Sequence, residues 1–285
     1  MKKLPLPNYD FLSTYDICLQ SSNSNNLIAM RAIRPNIADH EAIYQRRATN
    51  VTLHHSAMSR HGNSGDIVTG NVTKDDFVSL YEDCFVKTGT PGRAIYDALR
   101  TSSNGICPLC GIGGVSTLDH YLPKARYPLY SVFPVNLVPA CMDCNKGKGS
   151  SVLTSSDEEP LHPYFVAQHF IDEHWIRAEI VESKPLSARF FPEPPVNWDQ
   201  DSRQRAINHF NDFQLDNKYR TQASLFFTMF TSMVKDLIHR QRLSTVEIQE
   251  HFLSMSVNEL PNSVSRSVMA AISESDWFCT EQYLE

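Results

Sequence analysis

The stretch that decides the fold runs from Cys107-Pro108-Leu109-Cys110 to Cys141-Met142-Asp143-Cys144, two Cys-x2-Cys pairs with residues 111–140 between them. Four thiolates in two such pairs are a tetrahedral set for a structural Zn²⁺. A closed shell of four cysteines has no open coordination position, so this zinc would stabilise the segment and take no part in chemistry. Unmetallated core cysteines and a redox dithiol are the alternatives, although no βαβ pattern surrounds either pair. The intervening segment is longer than the 15–20 residues of a plain zinc ribbon.

Residues whose side chains are suited to catalysis or metal binding fill that extra length. The segment contains Thr117-Leu118-Asp119-His120-Tyr121-Leu122-Pro123-Lys124 and later Asn136-Leu137. Asn145 follows the last cysteine directly, and Lys148 comes three residues after it. At these positions the chain resembles the HNH endonucleases, a family with a ββα-metal fold that often carries paired Cys-x2-Cys zinc knuckles. The resemblance covers about 45 of the 285 residues.

The resemblance implies a role for each of these residues. Asp119 and Asn145 would bind a catalytic divalent cation, His120 would act as general base on a water molecule, and Asn136 would hold the loop and orient the histidine. Lys148, Lys124 and Lys146 would meet the substrate phosphate. Asn145 stands where many members have histidine, and its oxygen favours Mg²⁺ or Mn²⁺ over Zn²⁺ at the catalytic centre. On a strand, Asp119 and His120 would point to opposite faces and could bracket one phosphate.

Composition and charge limit the remaining possibilities. The chain is 41% hydrophobic and 20% charged, which is typical of a globular protein, and its net charge of −6 means that phosphate affinity must come from a local patch. Seven cysteines, an odd number, argue against a disulfide framework. We expect a cytoplasmic protein without membrane segments, since no apolar run is long enough to span a bilayer and no signal peptide is evident.

Outward from the cysteine pairs, the patterns indicate helices on both sides. Residues 1–35 suggest a loop-rich start, 36–55 a helix, and Thr73 a helix cap followed by an apolar stripe to Phe85. Short strands are expected at Val115–Leu118 and Tyr130–Phe133 and, beyond the cysteines, at Trp175–Val181 and Ser187–Phe191, with helices after Trp198. The sequence thus predicts an α+β protein with a helical region over 1–100, the ββα core over 101–165 and a mainly helical region over 166–285.

The sequence therefore predicts a metal-dependent endonuclease that hydrolyses phosphodiester bonds in DNA. Family resemblance also suggests an effector of a prokaryotic antiphage or restriction system, working with an ATPase or sensor protein. The apolar C-terminal helices could support a homo-oligomer. Two alternatives stay open, namely an RNA-cleaving nuclease and a zinc-stabilised nucleic-acid-binding module without catalysis.

Overall fold

A computed structural model describes residues 1–148 and 153–284, and of Lys148 it describes only the backbone. Its internal contacts divide the chain into two compact units. The N-terminal unit comprises Lys2–Leu109 and Gly113–Val166, and the C-terminal unit comprises Ala167–Glu285 with the short pieces Met1 and Cys110–Ile112. The predicted mixture of helices and short strands is confirmed, while the three-region division stays a prediction.

Helices and two small antiparallel sheets make up the N-terminal unit. The described helices are α1 (Phe11–Leu19), α2 (Leu27–Ala32), α3 (Arg34–Thr49), α4 (Lys74–Ser79), α5 (Pro91–Thr101) and α6 (Met142–Lys148). A π-helical segment, Leu80–Val86, continues α4, and short 3-10 turns lie at Leu53–His55, Pro128–Tyr130 and Pro134–Asn136. The strands are β1 (Ile67–Thr69) with β2 (Val72–Thr73), and β3 (Thr117–His120) with β4 (Leu137–Ala140).

The predicted loop-rich start is wrong, because α1 and α2 occupy much of it. The Asp10 carboxylate caps α1 by accepting a hydrogen bond from the Ser13 amide at 2.7 Å. Phe11, Tyr15 and Cys18 recur at helical spacing and are fully buried. The polar run that suggested a loop, residues 21–26, only separates two short helices.

The strand predicted at Tyr130–Phe133 is also wrong. Pro128–Tyr130 forms a 3-10 turn, and β3 pairs instead with Leu137–Ala140 in the register Asp119↔Val138 and His120↔Leu137. The amides of Tyr130, Ser131 and Phe133 each donate to the carbonyl three residues earlier, so turns and not a strand ladder satisfy this backbone. The apolar character of Tyr130–Phe133 reflects burial and not strand pairing.

The helix predicted to begin at Thr73 is confirmed. The Thr73 hydroxyl accepts a bond from the Asp76 amide at 3.3 Å, and the Asp76 carboxylate accepts one from the Thr73 amide at 2.9 Å. These reciprocal bonds form a capping box, which satisfies two amides at the start of α4.

The C-terminal unit is a β-hairpin covered by helices. Its elements are α7 (His169–Asp172), β5 (Ile176–Val181), β6 (Ser187–Pro192), α8 (Gln200–Asp212), α9 (Leu215–His239), α10 (Thr245–Val257), α11 (Val264–Ser273) and α12 (Asp276–Cys279). The two strands predicted from the sequence are confirmed as β5 and β6, which pair antiparallel. Helix α11 packs on β5, α9 on β6, and α10 on α11. Among the described residues, no helix has the length and apolar character that a membrane crossing requires.

Candidate functional site

The four paired cysteines come together as the sequence predicts. Their Sγ atoms lie within 4.8 Å of one another, and all four side chains are buried. Sulfurs at 2.3 Å from a tetrahedral zinc are ~3.8 Å apart, so the cluster needs only a small contraction to hold the ion. Four thiolates and no oxygen or nitrogen ligand fit a structural zinc.

Backbone geometry positions both cysteine pairs. The Cys107 amide donates to the Gly113 carbonyl at 2.8 Å, which folds the first pair back on itself, and Gly111 takes the positive φ of 78° that this turn requires. Cys141 follows β4, and Cys144 lies in α6, so the second pair ties the strand to the helix. The other three cysteines, Cys18, Cys84 and Cys279, are buried as small core residues.

Two predicted site residues occupy adjacent positions on β3. Asp119 is 7% exposed and His120 is 9% exposed. Since neighbouring residues of a strand point to opposite faces, the carboxylate and the imidazole leave β3 on different sides. Helix α6, which carries Asn145, packs against β3. The chain order is therefore strand, strand, helix, with the two β3 side chains between the cysteine pairs.

A hydrogen bond to the backbone fixes the tautomer of His120. Its Nε2 lies 2.9 Å from the Ser131 carbonyl oxygen. A carbonyl can only accept, so Nε2 carries the hydrogen and Nδ1 is the basic nitrogen of the neutral ring. The Tyr81 ring packs edge-on against the imidazole with centroids 4.5 Å apart, which holds the ring in place.

Asn136 is completely buried, and its side chain makes four hydrogen bonds. Its Oδ1 accepts from the Leu122 amide at 2.8 Å and from the Tyr44 hydroxyl at 2.9 Å. Its Nδ2 donates to the carbonyls of Leu122 and Tyr130, each at 3.1 Å. The loop from Leu122 to Tyr130 is thus closed by one amide, and Ser131, which anchors His120, follows directly.

Tyr44 is a site residue that the sequence pattern did not single out. It lies on α3, is fully buried, and its hydroxyl also lies 3.3 Å from His162 Nε2. Burial raises the pKa of Tyr44 well above its ordinary value, so the phenol stays protonated and donates to Asn136. The sequence marks Tyr44 only as a core position of a helix, because its partner is 92 residues away.

The predicted phosphate-binding lysines differ in their surroundings. Lys124 forms an ion pair with Glu82 at 2.6 Å and lies 4.8 Å above the Tyr81 ring, so its charge is partly offset. Lys146 is exposed on α6, and Asn145 beside it is half-buried. The side chain of Lys148 lies outside the described residues.

Fold and site together define the class: a protein of mixed helices and small two-stranded sheets with a four-cysteine cluster that could hold a zinc ion. The chain is 32% identical to protein ea31 of Escherichia phage lambda, over 98% of this chain and 99% of that protein. It therefore belongs to the same family as ea31, whose name states no activity. No family model matches the chain, and no solved structure matches it.

Proposed function

We propose that this protein is a metal-dependent HNH-type endonuclease that hydrolyses DNA phosphodiester bonds. One observation carries the proposal, the order of the elements around the cysteine pairs. Strands β3 and β4 lie between the two pairs, and α6 contains the last cysteine. Asp119 and His120 lie on β3, and Asn145 lies on α6, which packs against β3. This is the order of elements and residues that the resemblance to HNH nucleases leads one to expect.

The donor set suits a catalytic cation of the Mg²⁺ type. Asp119 offers carboxylate oxygens and Asn145 an amide oxygen, and hard divalent cations prefer oxygen ligands. A bound Mg²⁺ or Mn²⁺ would neutralise phosphate charge and make a bound water more acidic. Two protein ligands leave coordination positions for waters and phosphate oxygens.

His120 is suited to accept a proton. Because its Nε2 donates to the Ser131 carbonyl, the basic Nδ1 is the atom that would take the proton from an attacking water. Asn136 and Tyr44 do not touch substrate in this proposal. They position His120 through the closed loop that ends at Tyr130.

The decisive experiment compares wild-type protein with His120 variants on plasmid DNA, single-stranded DNA and RNA, with Mg²⁺, Mn²⁺ or EDTA. We expect metal-dependent cutting of DNA that His120→Ala and His120→Gln reduce by at least about a hundredfold, the usual contribution of a general base. Glutamine can still donate to Ser131 but is not a base, so it separates chemistry from folding. His251→Ala, at an exposed helical position, is the matched control and should cut normally.

Two results would contradict the proposal: undiminished cutting by both His120 variants, or no cutting of any substrate by wild-type protein with either metal. Tight binding without cutting would favour the non-catalytic binding module. Preferential cutting of RNA would change the proposed substrate from DNA to RNA and leave the proposed roles of His120 and the metal unchanged. The role as an effector of an antiphage or restriction system, with an ATPase or sensor partner, stays a prediction.

A further inference from the structure

A cleft of about 640 Å³ lies within the N-terminal unit beside the loop that anchors His120. We call it the α3 cleft and define it by His40, Arg47, His55, Arg60 and the turn Tyr127–Tyr130, all of which line it. Its volume falls within the usual range for pockets that take small molecules or parts of larger ligands. None of Asp119, His120 and the four paired cysteines lines the cleft.

The lining of the α3 cleft favours an anion. This lining contains two guanidinium groups, those of Arg47 and Arg60, and one carboxylate, that of Asp66. The Asp66 carboxylate accepts a hydrogen bond from the Asn63 side-chain amide. Burial, together with the charge of Arg47, lowers the pKa of His40, so its ring is neutral and can still donate a hydrogen bond. The positive charge of the cleft near neutral pH therefore comes from Arg47 and Arg60.

The side chain of Arg47 is held in place by the protein itself, without a ligand. Its Nη1 donates to the Ser56 hydroxyl at 3.2 Å, and its side chain is half-buried. A guanidinium carries five N–H donors in a rigid fork that matches the oxygens of a phosphate, so one anchoring bond leaves donors to spare. Orientation by Ser56 reduces the entropy lost when an anion binds.

One lining residue of the α3 cleft is the sequence neighbour of the residue that anchors His120. Tyr130 lines the cleft, and the carbonyl of the next residue, Ser131, holds His120 Nε2 at 2.9 Å. Ser59, another lining residue, is tied to the same loop, because its amide donates to the Arg126 carbonyl at 2.8 Å. The α3 cleft and the imidazole of His120 are thus both attached to one short loop, Arg126 to Ser131.

From this arrangement we infer that the α3 cleft binds a backbone phosphate of the nucleic-acid strand that is cut at His120. The inference rests on the proposed nuclease function and adds the path of the substrate. Arg47 and Arg60 hold the strand through charge and hydrogen bonds and read no base, since phosphate contacts position a nucleic acid without specifying its sequence.

The test measures binding separately from cutting. A fluorescein-labelled single-stranded oligonucleotide is titrated with protein at several salt concentrations, with no Mg²⁺ or Mn²⁺ added and no chelator, and anisotropy gives Kd. We expect Arg47→Gln with Arg60→Gln to weaken binding about tenfold at low salt and to reduce the slope of log K against log salt by about one for each phosphate that is no longer neutralised. Arg47→Lys should retain most of the salt slope, because it keeps the charge.

Arg46→Gln is the matched control, because Arg46 is the exposed neighbour of Arg47 on α3 and does not line the cleft. It should change Kd less than twofold. Unchanged affinity and salt slope in the double variant would overturn the inference. The inference would also be overturned if millimolar inorganic phosphate displaced the oligonucleotide while the double variant bound the oligonucleotide as tightly as wild-type protein. That result would favour a small-anion site.

The same data separate this inference from the nuclease proposal. If binding depends on Arg47 and Arg60 but wild-type protein cuts nothing, the cleft assignment stands and the catalytic one fails. If wild-type protein cuts through His120 and the double variant binds and cuts normally, the catalytic assignment stands and the cleft assignment fails.

Discussion

Replacing Asn136 by alanine should destabilise the N-terminal unit strongly, although the change removes only a few atoms. The substitution deletes all four hydrogen bonds of the side chain. It leaves the amide and carbonyl of Leu122, the carbonyl of Tyr130 and the hydroxyl of Tyr44 without that partner in a buried environment. An intact hydrogen bond contributes ~1 kcal/mol, and an unsatisfied buried group costs ~1–3 kcal/mol. We therefore expect a loss of about 4 kcal/mol in the free energy of unfolding, a large part of the ~5–15 kcal/mol typical of a domain.

Tyr44→Phe removes just one of these bonds and should cost about 1 kcal/mol. In the Asn136→Ala background the same change should cost about 1 kcal/mol less, because the bond to Asn136 is already gone and only the contact with His162 is lost. The coupling energy of this double-mutant cycle should therefore be about 1 kcal/mol.

Hydrogen exchange at the Leu122 amide is the appropriate assay. All three tryptophans, Trp175, Trp198 and Trp277, lie in the C-terminal unit, so intrinsic fluorescence would not follow this region. A loss of about 4 kcal/mol corresponds to exchange about a thousandfold faster. Asn50→Ala, at an exposed position after α3, is the control and should change stability by less than ~0.5 kcal/mol. A cost below about 1 kcal/mol for Asn136→Ala, with Leu122 exchange unchanged, would refute the reasoning.

Three further predictions concern the metal, pH and packing. Elemental analysis should find about one zinc per chain. Cys144→Ser should lose this zinc, and Cys279→Ser should keep it, because Cys279 is buried outside the cluster. Equal zinc content in the two variants would contradict a zinc site at the cluster. Burial lowers the pKa of His174 from 6.5 to about 4. As the pH falls, this histidine is therefore protonated in the unfolded chain before it is protonated in the folded chain. Stability of the C-terminal unit, measured by tryptophan fluorescence, should therefore fall by up to about 3 kcal/mol as the pH falls from 6.5 to 4, and His174→Gln should flatten that dependence. In Gly92→Ala the new Cβ would lie 2.5 Å from the Cys84 carbonyl oxygen, so Tm should drop by several degrees, whereas Gly114→Ala, with open space around it, should not lower it comparably.

Local chemistry in the sequence predicted several features well. The capping box at Thr73, the β5–β6 hairpin and the meeting of the four cysteines all depend on spacing that a single chain displays. Metal-ligand spacing is especially informative, since two Cys-x2-Cys pairs are a typical zinc-ligand pattern.

Interactions between distant segments were beyond such reasoning. Nothing in the spacing of Tyr44 indicates that it donates to Asn136, 92 residues later. The segment Tyr130–Phe133 has the apolar content of a strand but follows a 3-10 turn without pairing, and only tertiary packing decides between the two. The α3 cleft likewise assembles from three separate stretches of the chain.

The closeness of the four sulfurs has a practical consequence for handling the protein. Thiols that lie within 4.8 Å of one another need little movement to form disulfides once no metal holds them. Chelation in air would therefore convert a reversible loss of zinc into covalent crosslinks that zinc alone does not reverse. Purification with a reductant and without strong chelators should preserve the native state, and inactive preparations should be checked for oxidised cysteines before the loss of activity is attributed to a substitution.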